Sequence, residues 1–180
     1  MKVPFYPQYL PHGDAPLEGF DSFEEMKFWE KKACGIVCLK MILEAFTGQQ
    51  HTVGELLKCG LDLQAYSEKG WIHEGLARIG RHYGLEGQAH RHAGFKDIAV
   101  EAGEGHLCMA SVTPRFTFEP VEGVRYGKGG HLVVVVDVEG RDLIVHHPSF
   151  HPDFNWPGLR ISAEEFENYF SGNFISFWMG

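Results

Sequence analysis

The sequence has no long apolar stretch, and this argues against a membrane-spanning segment. The longest apolar run is Leu132 to Val136, far below the roughly 20 residues that cross a bilayer. The N-terminus has no apolar region of the kind that marks a secretory signal. Only 4 cysteines occur, at positions 34, 38, 59 and 108, so we expect a cytoplasmic location in which the thiols stay reduced.

Basic residues are also scarce: 16 Lys and Arg stand against 24 Asp and Glu, which gives a formal net charge of -8. With no basic cluster, neither nucleic acid nor an anionic membrane is an expected partner. A chain of 180 residues with 44% hydrophobic and 22% charged residues is globular in composition. It shows no repeat, low-complexity segment or linker, so we expect one domain over 1–180. The sequence does not indicate an oligomeric state.

Helix signals occupy the first part of the chain and strand signals the second. Ser22, Thr52 and Ser162 each precede a glutamate by three residues, a pattern typical of helix starts. Together with apolar spacing, these signals predict helices at about 23–32, 34–46, 52–60, 72–84, 95–102 and 162–170, and strands at about 85–91, 107–112, 131–138, 143–147 and 174–179. Helices followed by an antiparallel sheet indicate the α+β class.

Cys34 and His131 have the sequence contexts of a nucleophile and its base. Cys34 precedes Gly35 at the start of an apolar helix, where the helix dipole and unpaired N–H groups favour a thiolate. His131 follows two glycines and opens a β-branched strand, which is a rigid platform for a base. A thiolate–imidazolium pair would support acyl transfer through a thioester. The other three cysteines are interpreted as small buried residues.

Several other residues carry weaker signals. His90 and His92 are separated by one residue, so that in a strand both rings would lie on the same face. They have no obvious acidic or cysteine partner, so we expect no metal and no cofactor. The spacing of Cys34 and Cys38 lacks the second pair that a zinc site needs. Gly70 to His73 is a candidate cleft edge. Aromatic residues that either close the core or wall a cleft are Phe116, Phe118, Tyr126, Phe150, Phe154 and Trp156.

Four short motifs follow one another along the chain: Val3 to Gln8; Ala33-Cys34-Gly35 with Leu39 to Leu43; Gly130-His131 with its valines; and Val145 to Ser149. In this order they resemble the papain-like cysteine peptidase domain that processes double-glycine leader peptides in bacteriocin exporters, and its free-standing bacterial relatives. The resemblance implies a papain-like fold with N-terminal helices packed on a C-terminal antiparallel sheet. It also implies Cys34 as nucleophile, His131 as general base, Gln8 as oxyanion donor, and a peptide or amide substrate.

The chain departs from the family pattern at position 147. The family usually has an aspartate, sometimes an asparagine, before the proline of this segment, and here His147 stands before Pro148. A neutral imidazole can accept a hydrogen bond from His131, but it cannot neutralise an imidazolium as a carboxylate does. Asp137 and Asn155 are candidate substitutes, although Asp137 lies roughly 20 Å from His131 along an extended strand.

Three functions are consistent with these residues. The leading hypothesis is a cysteine peptidase or amide hydrolase with Cys34, His131, His147 and Gln8 in its site. The second is a catalytically inactive relative that binds a peptide, which the histidine at position 147 favours. The third is transfer of the acyl group to an amine, which the sequence does not distinguish from hydrolysis.

Overall fold

A computed structural model describes residues 1–10, 17–113, 129–149 and 151–180. The helices are α1 (Phe23–Glu30), α2 (Cys34–Thr47), α3 (Val53–Asp62), α4 (His73–His82), α5 (Phe95–Gly103) and α6 (Ala163–Tyr169). The strands are β1 (Tyr66–Ser67), β2 (Gly70–Trp71), β3 (Leu85–His90), β4 (Leu107–Val112), β5 (His131–Glu139), β6 (Asp142–His147), β7 (Trp156–Ser162) and β8 (Phe170–Met179), with a 3-10 turn at Pro152–Phe154.

The main sheet has the strand order β3-β8-β4-β5-β6-β7, and every neighbouring pair is antiparallel. β1 and β2 form a separate hairpin between α3 and α4. Helices α2 to α4 cover one face of the sheet, and α5 and α6 cover the other. The expected α+β class is therefore confirmed, with helices on both faces of the sheet.

β5 is buried on both faces, as its unbroken run of apolar residues predicts. Leu132 and Val134 face the core beneath α2 to α4, whereas Val133 and Val135 face the core formed with α5 and α6. The position of β5 between β4 and β6 protects its backbone on both edges. His131 therefore lies at the start of a strand that is packed on both faces and paired on both edges.

The predicted helix starts are confirmed. The hydroxyls of Ser22, Thr52 and Ser162 each accept a hydrogen bond from the backbone N–H three residues later, at 3.1, 3.3 and 3.2 Å. α2 ends at Gly48, whose left-handed backbone (φ 70°) closes the last turn on the carbonyl of Glu44. In the described ranges, no helix combines the length and the apolar character needed to cross a bilayer.

Some sequence predictions differ from the structure. β7 was not predicted, because Pro157 and Gly158 interrupt any strand pattern in this edge strand. The prediction that His90 and His92 share a strand face is wrong: β3 ends at His90, and His92 adopts a left-handed backbone with φ 56°. Four of the aromatic candidates fall outside the described residues, namely Phe116, Phe118, Tyr126 and Phe150.

The contact between α4 and the segment before the β1–β2 hairpin predicts a difference between two helical glycines. A methyl group on Gly75 would lie 2.6 Å from the Cα of Ala65, whereas one on Gly103 would meet nothing within 4 Å. We expect Gly75→Ala to lower the free energy of unfolding by about 1–3 kcal/mol through overpacking. We expect Gly103→Ala to leave it unchanged or raise it by up to about 1 kcal/mol. Urea unfolding at pH 7 measures both, and equal effects would contradict the close packing at Gly75.

Candidate active site

Cys34 is the first residue of α2, and its sulfur lies where the helix begins without a side-chain cap. The side chain is partly exposed to a cavity, but protein atoms surround it closely. Burial raises the pKa of the Cys34 thiol to about 11, although hydrogen bonds with the backbone of Leu132, Gly35 and Cys34 itself act to lower it. Desolvation therefore outweighs the helix start, which is the opposite of the balance that the sequence suggested.

The first turn of α2 packs directly on the start of β5. A methyl group on Gly35 would lie 3.0 Å from the side chain of Leu132 and 3.1 Å from that of Trp71. The thiol of Cys38, one turn further on, donates a hydrogen bond to the Leu132 carbonyl at 3.3 Å. Since Leu132 directly follows His131, this packing brings the helix start to the predicted base.

A hydrogen bond with the backbone orients the imidazole of His131. The ring forms a hydrogen bond with the backbone of Pro148, and a proline offers only its carbonyl oxygen for such a bond. Nε2 is buried and has no hydrogen-bond partner among the described residues. Nε2 therefore accepts no hydrogen bond from the Cys34 thiol in this structure. Burial, aided by the neighbouring His147, lowers the pKa of His131 to about 3, so the ring is neutral at physiological pH.

The imidazole of His147 lies edge-on against that of His131, with ring centroids 4.9 Å apart. Its Nδ1–H donates to the carbonyl of Phe154 at 2.8 Å, and the ring also packs against Trp156. Burial lowers the pKa of His147 to about 4. The predicted neighbour of His131 is thus in place, but the hydrogen bond that orients His131 comes from the backbone of Pro148, which sequence reasoning did not consider.

Gln8 is buried next to the site but does not line the cavity. Its side-chain Nε2 donates to the carbonyl of Glu30 at 2.8 Å, at the end of α1. The next residue, Tyr9, donates its backbone N–H to the Ser149 carbonyl at 2.9 Å, just beyond β6. Gln8 therefore lies between the segment that leads to Cys34 and the segment that follows His147.

Asp137 and Asn155, the two candidate replacements for the orienting aspartate, form side-chain hydrogen bonds with nearby backbone groups. The carboxylate of Asp137 accepts from the N–H of Val138 and is exposed. The side-chain oxygen of Asn155 accepts from the Ser149 N–H at 2.7 Å, and its Nδ2 donates to the His151 carbonyl at 3.0 Å. Among these groups, His147 is the one that the structure places against His131.

Cys34 and His131 line the same cavity, which has a volume of about 380 Å³. The indole N–H of Trp71 donates to the Lys32 carbonyl at 2.6 Å, which fixes the β1–β2 hairpin as one wall. The predicted cleft edge from Gly70 to His73 does reach this cavity. The full lining consists of Lys31, Lys32, Cys34, Tyr66, Glu68, Lys69, Gly70, Trp71, His73, Ser111, Gly130, His131 and Leu132. Sequence reasoning missed the lysines, although two of them stand just before Cys34.

A second polar cluster lies away from the cavity. Within the described ranges, Glu101, Glu104 and His106 bring one potential ligand atom each to within 4.8 Å of one another. His90 was expected to lack an acidic partner, but its Nε2 lies 3.9 Å from Glu101. A hydrogen bond of 2.7 Å joins Nδ1 of His106 to the same carboxylate. An ordinary network of imidazole–carboxylate contacts accounts for this arrangement, and none of these residues lines the Cys34 cavity.

Solved structures with the same fold come from peptidases. The peptidase domain of Streptococcus ComA, a bifunctional ABC transporter involved in quorum sensing, matches with a TM-score of 0.58 at 15% identity over 83% of this chain and 93% of its own. A C39-like peptidase from Bacillus anthracis matches with a TM-score of 0.64 at 13% identity over 99% and 95%. A double-glycine-motif protease from an AMS/PCAT transporter, solved with its leader peptide, matches with a TM-score of 0.54 at 19% identity over 98% and 91%.

At these identities the structural likeness shows the fold and leaves the chemistry open. A search of curated proteins finds no match. The family assignment comes from the sequence profile of the Peptidase C39 family, which matches residues 26–180. That match includes both residues that the fold brings to the cavity, Cys34 and His131. The chain therefore belongs to the Peptidase C39 family and has its papain-like, cysteine-peptidase fold.

Proposed function

We propose that residues 1–180 form one peptidase domain in which Cys34 attacks a peptide carbonyl and His131 acts as general base. The observation that carries this proposal is that the first residue of α2 and the first residue of β5 line the same cavity, although 97 positions separate them in the chain. The charge state of His131 supports it further, since burial keeps the imidazole neutral and a neutral imidazole can accept a proton.

In the resting protein, we propose a neutral thiol beside a neutral imidazole. A thiol with a pKa of about 11 keeps its proton at physiological pH, and an imidazole with a pKa of about 3 takes none from solvent. The thiol proton then moves to the imidazole of His131 as the sulfur bonds to the carbonyl carbon, so that the base activates the nucleophile during attack.

The remaining steps follow from proton balance. The tetrahedral oxyanion is held by backbone N–H groups at the start of α2; Gln8, predicted as a further donor, does not line the cavity in this structure. The imidazolium of His131 gives its proton to the leaving amine as the C–N bond breaks, which leaves a thioester on Cys34. Water then attacks the thioester with His131 again as base, and the peptide acid and the free thiol are released.

The roles of Cys34 and His131 are tested by cleavage of a proteome-derived peptide library, with products identified by mass spectrometry. We expect Cys34→Ser and His131→Ala to abolish cleavage, because each removes a reacting group. Cys59→Ser is the matched control: Cys59 is partly exposed on α3, away from the cavity, so cleavage should persist. Cleavage that survives in Cys34→Ser would refute the nucleophile. If the wild type binds peptides but does not cleave them, the binding function is supported and the catalytic one is contradicted.

If Cys34 and His131 are neutral at rest, a carboxylate at position 147 should change the rate at which Cys34 is alkylated. Alkylation of wild-type Cys34 by iodoacetamide should rise about tenfold per pH unit from pH 6 to 8, as for a thiol far below its pKa. In His147→Asp, the carboxylate should raise the pKa of His131 and allow a thiolate–imidazolium pair. Alkylation at pH 6 should then be about tenfold faster or more, and cleavage should be kept or raised.

The uncharged variant His147→Asn is the control for the shape of the aspartate side chain. It should alkylate at nearly the wild-type rate at pH 6, because it brings no negative charge to His131. Circular dichroism confirms that both variants are folded. If His147→Asp and His147→Asn alkylate alike from pH 6 to 8, the side chain at position 147 does not control the charge of His131. A wild-type rate that is already constant over this range would contradict the neutral pair.

A further inference from the structure

The cavity beside Cys34 is cationic in a chain that is acidic overall. Among the described residues, its lining contains three lysines, Lys31, Lys32 and Lys69, and one carboxylate, that of Glu68. The whole chain, in contrast, has 24 acidic residues, 16 basic residues and a net charge of -8. The local sign of charge is therefore opposite to that of the whole molecule.

The lysines of the cavity are not used in ion pairs within the described part of the protein. Elsewhere, Lys27, Lys40 and Lys58 each pair with a carboxylate. Lys31, Lys32 and Lys69 have no such partner among the described residues.

One of these charges is held in position by aromatic rings. The ammonium of Lys32 lies over the ring of Phe28, 3.6 Å from its centroid, and 5.7 Å from that of Trp29. The backbone carbonyl of Lys32 accepts the indole hydrogen bond of Trp71. Lys69 lies across the cavity, in the turn of the β1–β2 hairpin.

The histidines of the cavity do not change this charge balance. Burial lowers the pKa of His73, and burial together with His147 lowers that of His131 to about 3. At neutral pH both rings are therefore uncharged. Among the described residues, the charged side chains that line the cavity with Cys34 are then the three lysines and Glu68, which is a net excess of positive charge.

We propose that this cavity binds its substrate through a carboxylate, so that acidic peptides are the substrate class. This inference rests on the proposed function only in calling the ligand a substrate. The carboxylate comes either from an Asp or Glu side chain or from the C-terminus of a peptide. Tyr66 and Trp71 supply an aromatic surface beside the lysines for the apolar part of the same ligand.

The local potential can be measured without any catalytic turnover. Two methanethiosulfonate reagents, one with a sulfonatoethyl group and one with a trimethylammonioethyl group, both react with the Cys34 thiolate. Both rate constants are proportional to the same thiolate fraction. The ratio of the anionic to the cationic rate constant is therefore independent of that fraction and reports the electrostatic potential at the sulfur. The reaction is followed by the mass of the Cys34 peptide, and the ratio is normalised to that of N-acetylcysteine amide.

At low ionic strength, we expect the ratio of the anionic to the cationic rate constant to be higher for Cys34 than for the small thiol. Lys69→Glu should lower the normalised ratio roughly two- to fivefold. Lys96→Glu makes the same change in net charge on the exposed surface of α5, away from the cavity, and should leave the ratio unchanged. In 1 M salt, where the screening length falls to about 3 Å, the preference should largely disappear.

A ratio at or below that of the small thiol, or equal effects of the two lysine variants, would overturn the proposal. Loss of all peptide cleavage would not, since the labelling does not depend on turnover. The proposed function and the present inference can therefore fail separately.

Protection of Cys34 against the neutral reagent methyl methanethiosulfonate distinguishes the two sources of carboxylate. Three acetylated hexapeptides are compared: a central Gln with a C-terminal amide, a central Glu with the amide, and a central Gln with a free C-terminus. Stronger protection by the second peptide identifies a side-chain carboxylate, and stronger protection by the third identifies the C-terminus. Equal protection by all three, or protection by none, contradicts recognition of a carboxylate.

Discussion

The packing of the first turn of α2 on Leu132 is the contact on which the candidate site depends. The side chain of Leu132 lies against Gly35, and its carbonyl accepts the Cys38 thiol hydrogen bond at 3.3 Å. Its backbone also bonds the sulfur of Cys34. Because His131 is the preceding residue in the same strand, these contacts also determine where the strand brings His131 to the cavity. A methyl group on Gly35 would crowd the side chains of Leu132, Leu76 and Trp71 at 3.0 to 3.1 Å, so these side chains would have to shift by a few tenths of an ångström.

The same packing determines the charge state of the pair. A helix start stabilises a thiolate by fractions of a kcal/mol when it is exposed to water, whereas removing the sulfur from water acts in the opposite direction and is stronger here. The imidazole is subject to the same desolvation, and His147 beside it adds to the cost of a positive charge. Close packing therefore provides a well-defined geometry and, as a consequence, a pair that is neutral at rest.

The sequence allowed prediction of features that depend on local chemistry. Three helix starts follow from their capping hydroxyls and the doubly buried strand from its valines. The contexts of Cys34 and His131 predict a reactive pair, and the fold brings both residues to one cavity. β7 could not be predicted because an edge strand with Pro157 needs no periodic pattern. The bond from His131 to Pro148 uses a backbone carbonyl, which every residue possesses and which no sequence motif marks. The positive cavity arises when the β1–β2 hairpin places Lys69 opposite Lys31 and Lys32, so it depends on the tertiary fold.

The departure at position 147 fits this electrostatic arrangement. A carboxylate buried beside a neutral imidazole would itself lack a counter-charge, and burying an unpaired charge is costly. An imidazole that is neutral, and that gives its own Nδ1–H to Phe154, fills the position without introducing a charge. The backbone of Pro148 then forms a hydrogen bond with the imidazole of His131, which is neutral as well. The histidines beside Cys34 are thus uncharged, whereas lysines predominate among the charged residues that the described part of the chain contributes to the cavity.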